Sequence, residues 1–193
     1  KLDLGKAGRF TGAGALIGKK LYLAVTTPAL DLAALHGKLN RTRLAGTLGG
    51  EAGEEAQHVR AKFTQEGYLF EADADINRKQ IDVHRLLARA AGGEATLTGF
   101  LSLDSARAFI VRGELARFDP SRFGAYPKAS INSRISADGA LAPQPSVKLA
   151  FRIDKSRFLD HPLAGEGRLS AAPGRVESAD VGLRLGPNQA RVT

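Results

Sequence analysis

Residues 146–154 read Ser146-Val147-Lys148-Leu149-Ala150-Phe151-Arg152-Ile153-Asp154, with Val147, Leu149, Phe151 and Ile153 alternating against Ser146, Lys148, Arg152 and Asp154. A period of two sends successive side chains to opposite faces of an extended chain, so this stretch is a strand with one apolar and one wet face. Outward from it, the same period runs through Tyr68, Phe70, Ala72, Ala74 and Ile76 against Glu71, Asp73, Asp75 and Asn77. It returns in Ala129, Ile131, Ser133 and Ile135 against Asn132 and Arg134. Weaker runs occur at Leu21, Leu23, Val25; at Val59, Ala61, Phe63; at Leu97, Leu101, Leu103; at Phe109, Val111, Leu115; and at Val181, Leu183, Leu185. Gly49-Gly50, Gly92-Gly93, Asp138-Gly139, Pro143-Gln144-Pro145, Pro173-Gly174 and Gly186-Pro187-Asn188 read as turns between them. The pattern predicts an all-β chain of roughly nine or ten strands with a few short helices.

Composition narrows the chemistry. The 193 residues carry 28 Lys and Arg against 20 Asp and Glu, a net charge of +8, with 43% hydrophobic residues. Such a chain can build a core and is neither a disordered polyelectrolyte nor a helical membrane bundle. Without cysteine there is no disulfide framework, thiolate metal site or thiol nucleophile. Apolar runs such as Ala13 to Ile17 and Phe109 to Val111 fall far short of the ~20 residues of a spanning helix, so no transmembrane helix is expected. Lys1 rather than Met opens the chain and no leader pattern follows, so residues 1–193 are expected to be one repetitive segment of a longer protein.

An internal repeat, apolar-Asp-x-x-x-apolar, starts near 30, 81, 118 and 153: Leu30-Asp31 to Leu35, Ile81-Asp82 to Leu86, Phe118-Asp119 to Phe123 and Ile153-Asp154 to Phe158. Arg85, Arg122 and Arg157 precede the closing residue of the last three copies. Each Asp is expected to cap a short helical turn laid over the sheet end, with Pro120 at a first helical position and Thr27-Pro28 offering a similar start. Val83, Leu86, Leu87 and Ala90 carry a helical spacing, which predicts the longest helix in the second copy.

Familiar site motifs fail. The stretch ending Gly18-Lys19-Lys20 lacks the first Gly and the Ser or Thr of a phosphate loop, and Gly12 and Gly14 lead to Ile17 rather than a third Gly. Asp73, Asp75 and Asn77 start a calcium-loop pattern that Arg78 and His84 break, which leaves them on the wet face of a strand. His36, His58, His84 and His161 share no metal-ligand spacing and are expected to face solvent or lie in loops. No Gly-x-Ser-x-Gly elbow exists, and arginines dispersed among carboxylates with 6% aromatics make a poor nucleic-acid platform. Neither catalytic residue, metal, cofactor nor nucleic-acid partner is expected.

Three features resemble the TamB-type and AsmA-like periplasmic proteins. They are the apolar-Asp unit, as in Leu30 to Leu35 and Phe118 to Gly124; the segment Pro162-Leu163-Ala164-Gly165-Glu166-Gly167-Arg168-Leu169; and the hairpin Leu183-Arg184-Leu185-Gly186-Pro187-Asn188-Gln189-Ala190-Arg191-Val192, in which Gln189-Ala190 departs from the family's usual residues. The resemblance implies the periplasmic portion of an inner-membrane-anchored protein in a Gram-negative bacterium. Its elongated, curved antiparallel sheet would form an open, U-shaped apolar groove, β-taco-like, that shelters phospholipid acyl chains on their way between inner and outer membrane. An outer-membrane TamA-like protein is the implied partner.

The residues agree on one point: a sheet with a continuous apolar face must cover it, by folding on itself or with a ligand. The expected lipid-facing lining is Leu97, Leu101, Phe109, Val111, Ile131, Ile135, Val147, Leu149, Phe151, Leu183 and Leu185. A β-rich scaffold for outer-membrane protein assembly or another protein partner is the competing expectation.

Overall fold

The structure, a computed structural model, describes residues 2–193. Its strands are β1 (Leu2–Asp3), β2 (Arg9–Ile17), β3 (Lys20–Leu30), β4 (Leu44–Ala52), β5 (Ala56–Gln65), β6 (Tyr68–Asn77) and β7 (Gln80–Ala90). They continue as β8 (Gly93–Ser102), β9 (Ala108–Phe118), β10 (Ala129–Ala140), β11 (Ser146–Phe158), β12 (His161–Ala172), β13 (Arg175–Leu185) and β14 (Asn188–Val192). All fourteen form one antiparallel sheet in sequence order, each strand pairing with its neighbours in the chain. β1 and β14 do not meet, so the sheet is an open layer that does not curl back onto itself. Helix is confined to α1 (Leu32–Leu35) and to 3-10 turns at Gly5–Ala7 and Pro120–Arg122 among the described residues, and no helix is long and apolar enough to cross a membrane.

The chain holds more strands than its alternation predicts, because alternation is visible only where side chains exist to show it. β2 and β4 carry Gly12, Gly14, Gly46, Gly49 and Gly50, which blank out positions of the period. Gly49-Gly50 and Asp138-Gly139 accordingly lie inside β4 and β10, not in turns. At Gly139 a Cβ would stand 2.0 Å from the Ser146 carbonyl oxygen, so the glycine serves close cross-strand approach.

The Asp repeat divides into two devices. Asp31 caps α1 by accepting the Ala33 N–H (3.0 Å), and Asp119 caps the Pro120–Arg122 turn by accepting the Ser121 N–H (3.1 Å). The other two copies form no helix. Ile81 to Ala90 lies wholly in β7 and Ile153 to Phe158 in β11, each interrupted by a β-bulge, between Val83 and Leu86 and between Ile153 and Ser156. An extra residue flips the phase of the alternation. Ile81 and Val83 therefore hand over to Leu86 and Ala88, a spacing that imitates a helix. Thr27-Pro28 likewise belongs to β3, where Thr27 Oγ1 accepts the Ala29 N–H, and the helix begins only after Asp31.

Little of the sheet is buried. Among the described residues the buried apolar ones are Ala7, Phe10, Leu30, Leu44, Leu87, Ala90 and Ala129, and only Leu44 of the large ones is fully enclosed. Accessible surface totals 12780 Å², against about 8,800 Å² for a compact monomer of this mass. A self-packed sandwich would sit near the lower figure.

Candidate functional site

Register across the bulges assigns every strand residue to a face. From Leu97 in β8, cross-strand partners run through Leu86, Ala72, Ala61, Leu48, Val25 to Gly12 in one direction. In the other they run through Gly113, Ile135, Phe151, Gly167, Val181 to Val192. Parallel rows pass through Leu101, Phe109 and Val147; through Val111 and Leu149; and through Leu115, Ile153 and Leu183. These rows contain no charged side chain, and their polar members are Gln57, Thr27 and Ser133. Thirteen strands, β2 to β14, thus share one apolar face, about 58 Å across at a strand spacing of about 4.8 Å.

Nine residues of the expected lining, Leu97, Leu101, Phe109, Val111, Ile135, Val147, Leu149, Phe151 and Leu183, lie in these rows. The remaining two extend the face beyond the bulges, Ile131 opposite Phe118 and Leu185 opposite Leu163. Sequence reasoning missed the half contributed by β2 to β7, including Leu23, Leu48, Val59, Ile76, Ile81 and Leu86. The signal was present in Leu21-Leu23-Val25 and Val59-Ala61-Phe63, but the bulge in β7 hid the phase that joins the two halves.

The face is open well inside its edges: Leu23 in β3 is 46%, Leu86 in β7 39% and Leu183 in β13 37% exposed. Large side chains lie over glycines on neighbouring strands. A Cβ at Gly167 would come within 2.9 Å of both the Phe151 ring and Val181, so the glycine provides the bed on which that ring rests. Midway, Phe63, Phe70, Leu86, Leu97, Val111 and Ile135 surround a hollow of about 480 Å³.

One margin of the face is covered. The β3–β4 and β9–β10 connections reach toward each other across the strand ends and join at a bridge between Leu39 and Gly124, with the Asn40 N–H donating to Phe123 O (2.8 Å) and the Ala125 N–H to Lys38 O (3.0 Å). Phe123 stacks on Phe118 (5.1 Å between centroids) and meets Phe70 and Tyr68 edge-on. Beside it, Ala7, Phe10, Leu30 and Leu44 form a compact core cluster. The two connections make a strap, apolar beneath.

The opposite face is mainly polar, with Tyr22, Leu69, Leu87, Phe100 and Ile110 as its large apolar members. Its cross-strand pairs include Arg60–Asp73, Lys62–Glu71 and Arg134–Glu114, exposed ion pairs that contribute about 0–1 kcal/mol each. A hollow of about 900 Å³ lies on this face among Arg112, Glu114, Arg134, Arg152, Arg168 and Asp180. Of the histidines expected to face solvent or lie in loops, His84 is exposed and His58 half-buried; both lie on strands and flank Asp75, with His58 Nδ1 2.5 Å from Asp75 Oδ1 and His84 Nε2 2.8 Å from Asp75 Oδ2. Hydrogen bonds from His58 and then His84 hold the Asp75 carboxyl below its ordinary value, and Asp75 holds His84 above its own. Among the described residues no group of three or more His, Asp or Glu is arranged to hold a metal ion. The chemistry on offer is burial of apolar ligand surface on one face and charge display on the other. The chain matches no protein-family model, no curated protein and no solved structure.

Proposed function

We propose that the chain is a non-enzymatic lipid-carrying surface, a segment of a periplasmic conduit of the TamB and AsmA-like kind that shelters phospholipid acyl chains between two membranes. The observation that carries this reading is the set of uncharged apolar rows crossing β2 to β14 with no protein layer over them except the strap at one margin. Water against such a face is unfavourable, and an acyl chain laid on it gains up to about 0.8 kcal/mol for each methylene buried. Because the rows continue unbroken from strand to strand, a chain can slide along them without meeting a charge. No step of bond making is involved. An inner-membrane anchor and an outer-membrane TamA-like partner belong to the same proposal.

A photo-crosslinking amino acid placed at Phe151, and separately at Lys148 on the opposite face, tests it. Phospholipid captured from position 151 and not from 148 is the expected result. Lipid captured equally from both positions, or from neither, overturns the reading. Protein adducts gathered at 148 alone would favour the scaffold alternative.

A further inference from the structure

The charge of the sheet is not spread evenly. In a meander, connections alternate between two ends, and the strap shares its end with the β1–β2, β5–β6, β7–β8, β11–β12 and β13–β14 connections. Exposed cations gather there: Lys38, Arg41 and Arg43 before β4, Arg117 and Lys128 on either side of the β9–β10 connection, and Arg157 ahead of the β11–β12 turn. Among the described residues none of the six is ion-paired with a carboxylate. Two nearby carboxylates are engaged inward, since Asp31 Oδ1 also accepts the Thr42 N–H (3.1 Å) and Asp119 Oδ1 the Ala129 N–H (3.1 Å), while Glu66 and Asp160, exposed in the β5–β6 and β11–β12 turns, offset only part of the positive charge. At the opposite end Lys19 pairs with Glu54 (2.9 Å), Lys20 with Glu51 (3.6 Å) and Arg175 with Glu177 (3.0 Å), which leaves three unpaired cations in its connections, Arg78, Lys79 and Arg107, against six at the strap end.

Large apolar side chains stand among these cations. Leu35 is 56% exposed, Leu159 53% and Tyr126 42%, and nothing in the fold covers them. Unpaired cations attract anionic headgroups, and protruding Leu and Tyr enter the boundary between headgroups and acyl chains. A nucleic acid would use the cations but would leave Leu35 and Leu159 without a role, and base stacking needs more aromatic surface than Tyr126 offers.

We propose that this end of the sheet docks on a bilayer surface containing anionic phospholipid, with the strap cations at the headgroup phosphates and Leu35, Tyr126 and Leu159 in the interface. The docking goes beyond the lipid-carrying reading and does not require it.

Co-sedimentation of the chain with phosphatidylcholine vesicles, and with vesicles that also contain phosphatidylglycerol, tests the proposal. Binding only to the mixed vesicles, weakened by added salt, is expected. Replacing Lys38, Arg41 and Arg43 together by Gln should lower partitioning about 100-fold, since each cation near such a surface contributes about 1 kcal/mol. Leu35→Ser with Leu159→Ser should lower it further, whereas Arg78→Gln with Lys79→Gln at the opposite end should not. Equal binding to both vesicle types, equal loss from the Arg78 and Lys79 variant, or retention of RNA without vesicle binding would each overturn it. Phe151→Arg separates the two readings: it should lower lipid capture by a crosslinker at its cross-strand neighbour Ile135 and leave vesicle binding unchanged.

Discussion

Phe151 shows how an open face differs from a core at a single position. Its ring lies on Gly167 and against Val181, half-buried, with no layer above. An Arg placed there can extend its charged head into water, so Phe151→Arg should remain folded and lose only the ring's cross-strand packing, about 1 kcal/mol. In a closed core the same charge would cost several kcal/mol, a large share of a total of about 5–15. Thermal denaturation of Phe151→Arg beside Lys148→Glu checks this, and an unfolded Phe151→Arg protein would show a covering layer. The polar face has its own pH response at Asp75 and His84. A raised His84 value means a contribution that is complete below the ordinary 6.5 and lost as pH rises through the raised value. A lowered Asp75 value means a contribution complete above the ordinary 3.8 and lost as pH falls through the lowered one. The pair thus stabilises best between 3.8 and 6.5. Melting temperature should fall modestly from about pH 6 to about pH 8, and His84→Ala should flatten that slope.

At the scale of elements, the repeated Asp separates into caps and bulge neighbours with different consequences. Asp119 holds two backbone N–H groups, of Ser121 and Ala129, so it ties the turn to the first residue of β10. Burial pushes its carboxyl up, but those bonds and the Ser121 hydroxyl outweigh burial and leave it below the ordinary value. Asp119→Ala should cost about 1–2 kcal/mol, as should Asp31→Ala, which loses the Ala33 and Thr42 bonds. Asp154 only meets the exposed Arg152 in β11 (2.8 Å), so Asp154→Ala should change stability by less than about 0.5 kcal/mol. Urea denaturation of the three variants checks the division; equal losses would restore a common capping role. The bulges matter differently: Lys155 and Arg117, at φ 45° and 48°, absorb the extra residues that keep Ser156 and Phe118 on the apolar face.

For the whole molecule the consequence is shape. Thirteen spacings of about 4.8 Å make a ribbon roughly 62 Å long, whereas a compact chain of this length has a radius of gyration of about 16 Å. Small-angle scattering from the monomer should return a radius of roughly 20 Å or more, and a value at the compact limit would mean that the sheet closes on itself in solution. An apolar face this wide also drives association. Concentration-dependent oligomers should therefore form in lipid-free buffer and dissolve when phospholipid or mild detergent is supplied.

By itself the sequence determined the class of the fold and the faces of its clearest strands, because alternation such as Val147 to Ile153 is a local property that follows from chain geometry. It also marked the Asp31 and Asp119 turns, since a cap needs only its next few residues. Tertiary structure alone decided whether the apolar rows of β2 to β7 line up with those of β8 to β14, because each bulge shifts the phase and only cross-strand pairing records the shift. It alone decided that nothing beyond the strap at one margin covers that face, a matter of where distant strands lie. And it alone gathered Lys38, Arg41, Arg43, Arg117, Lys128 and Arg157, dispersed along the chain, onto one end of the sheet, because a meander brings every second connection to the same side.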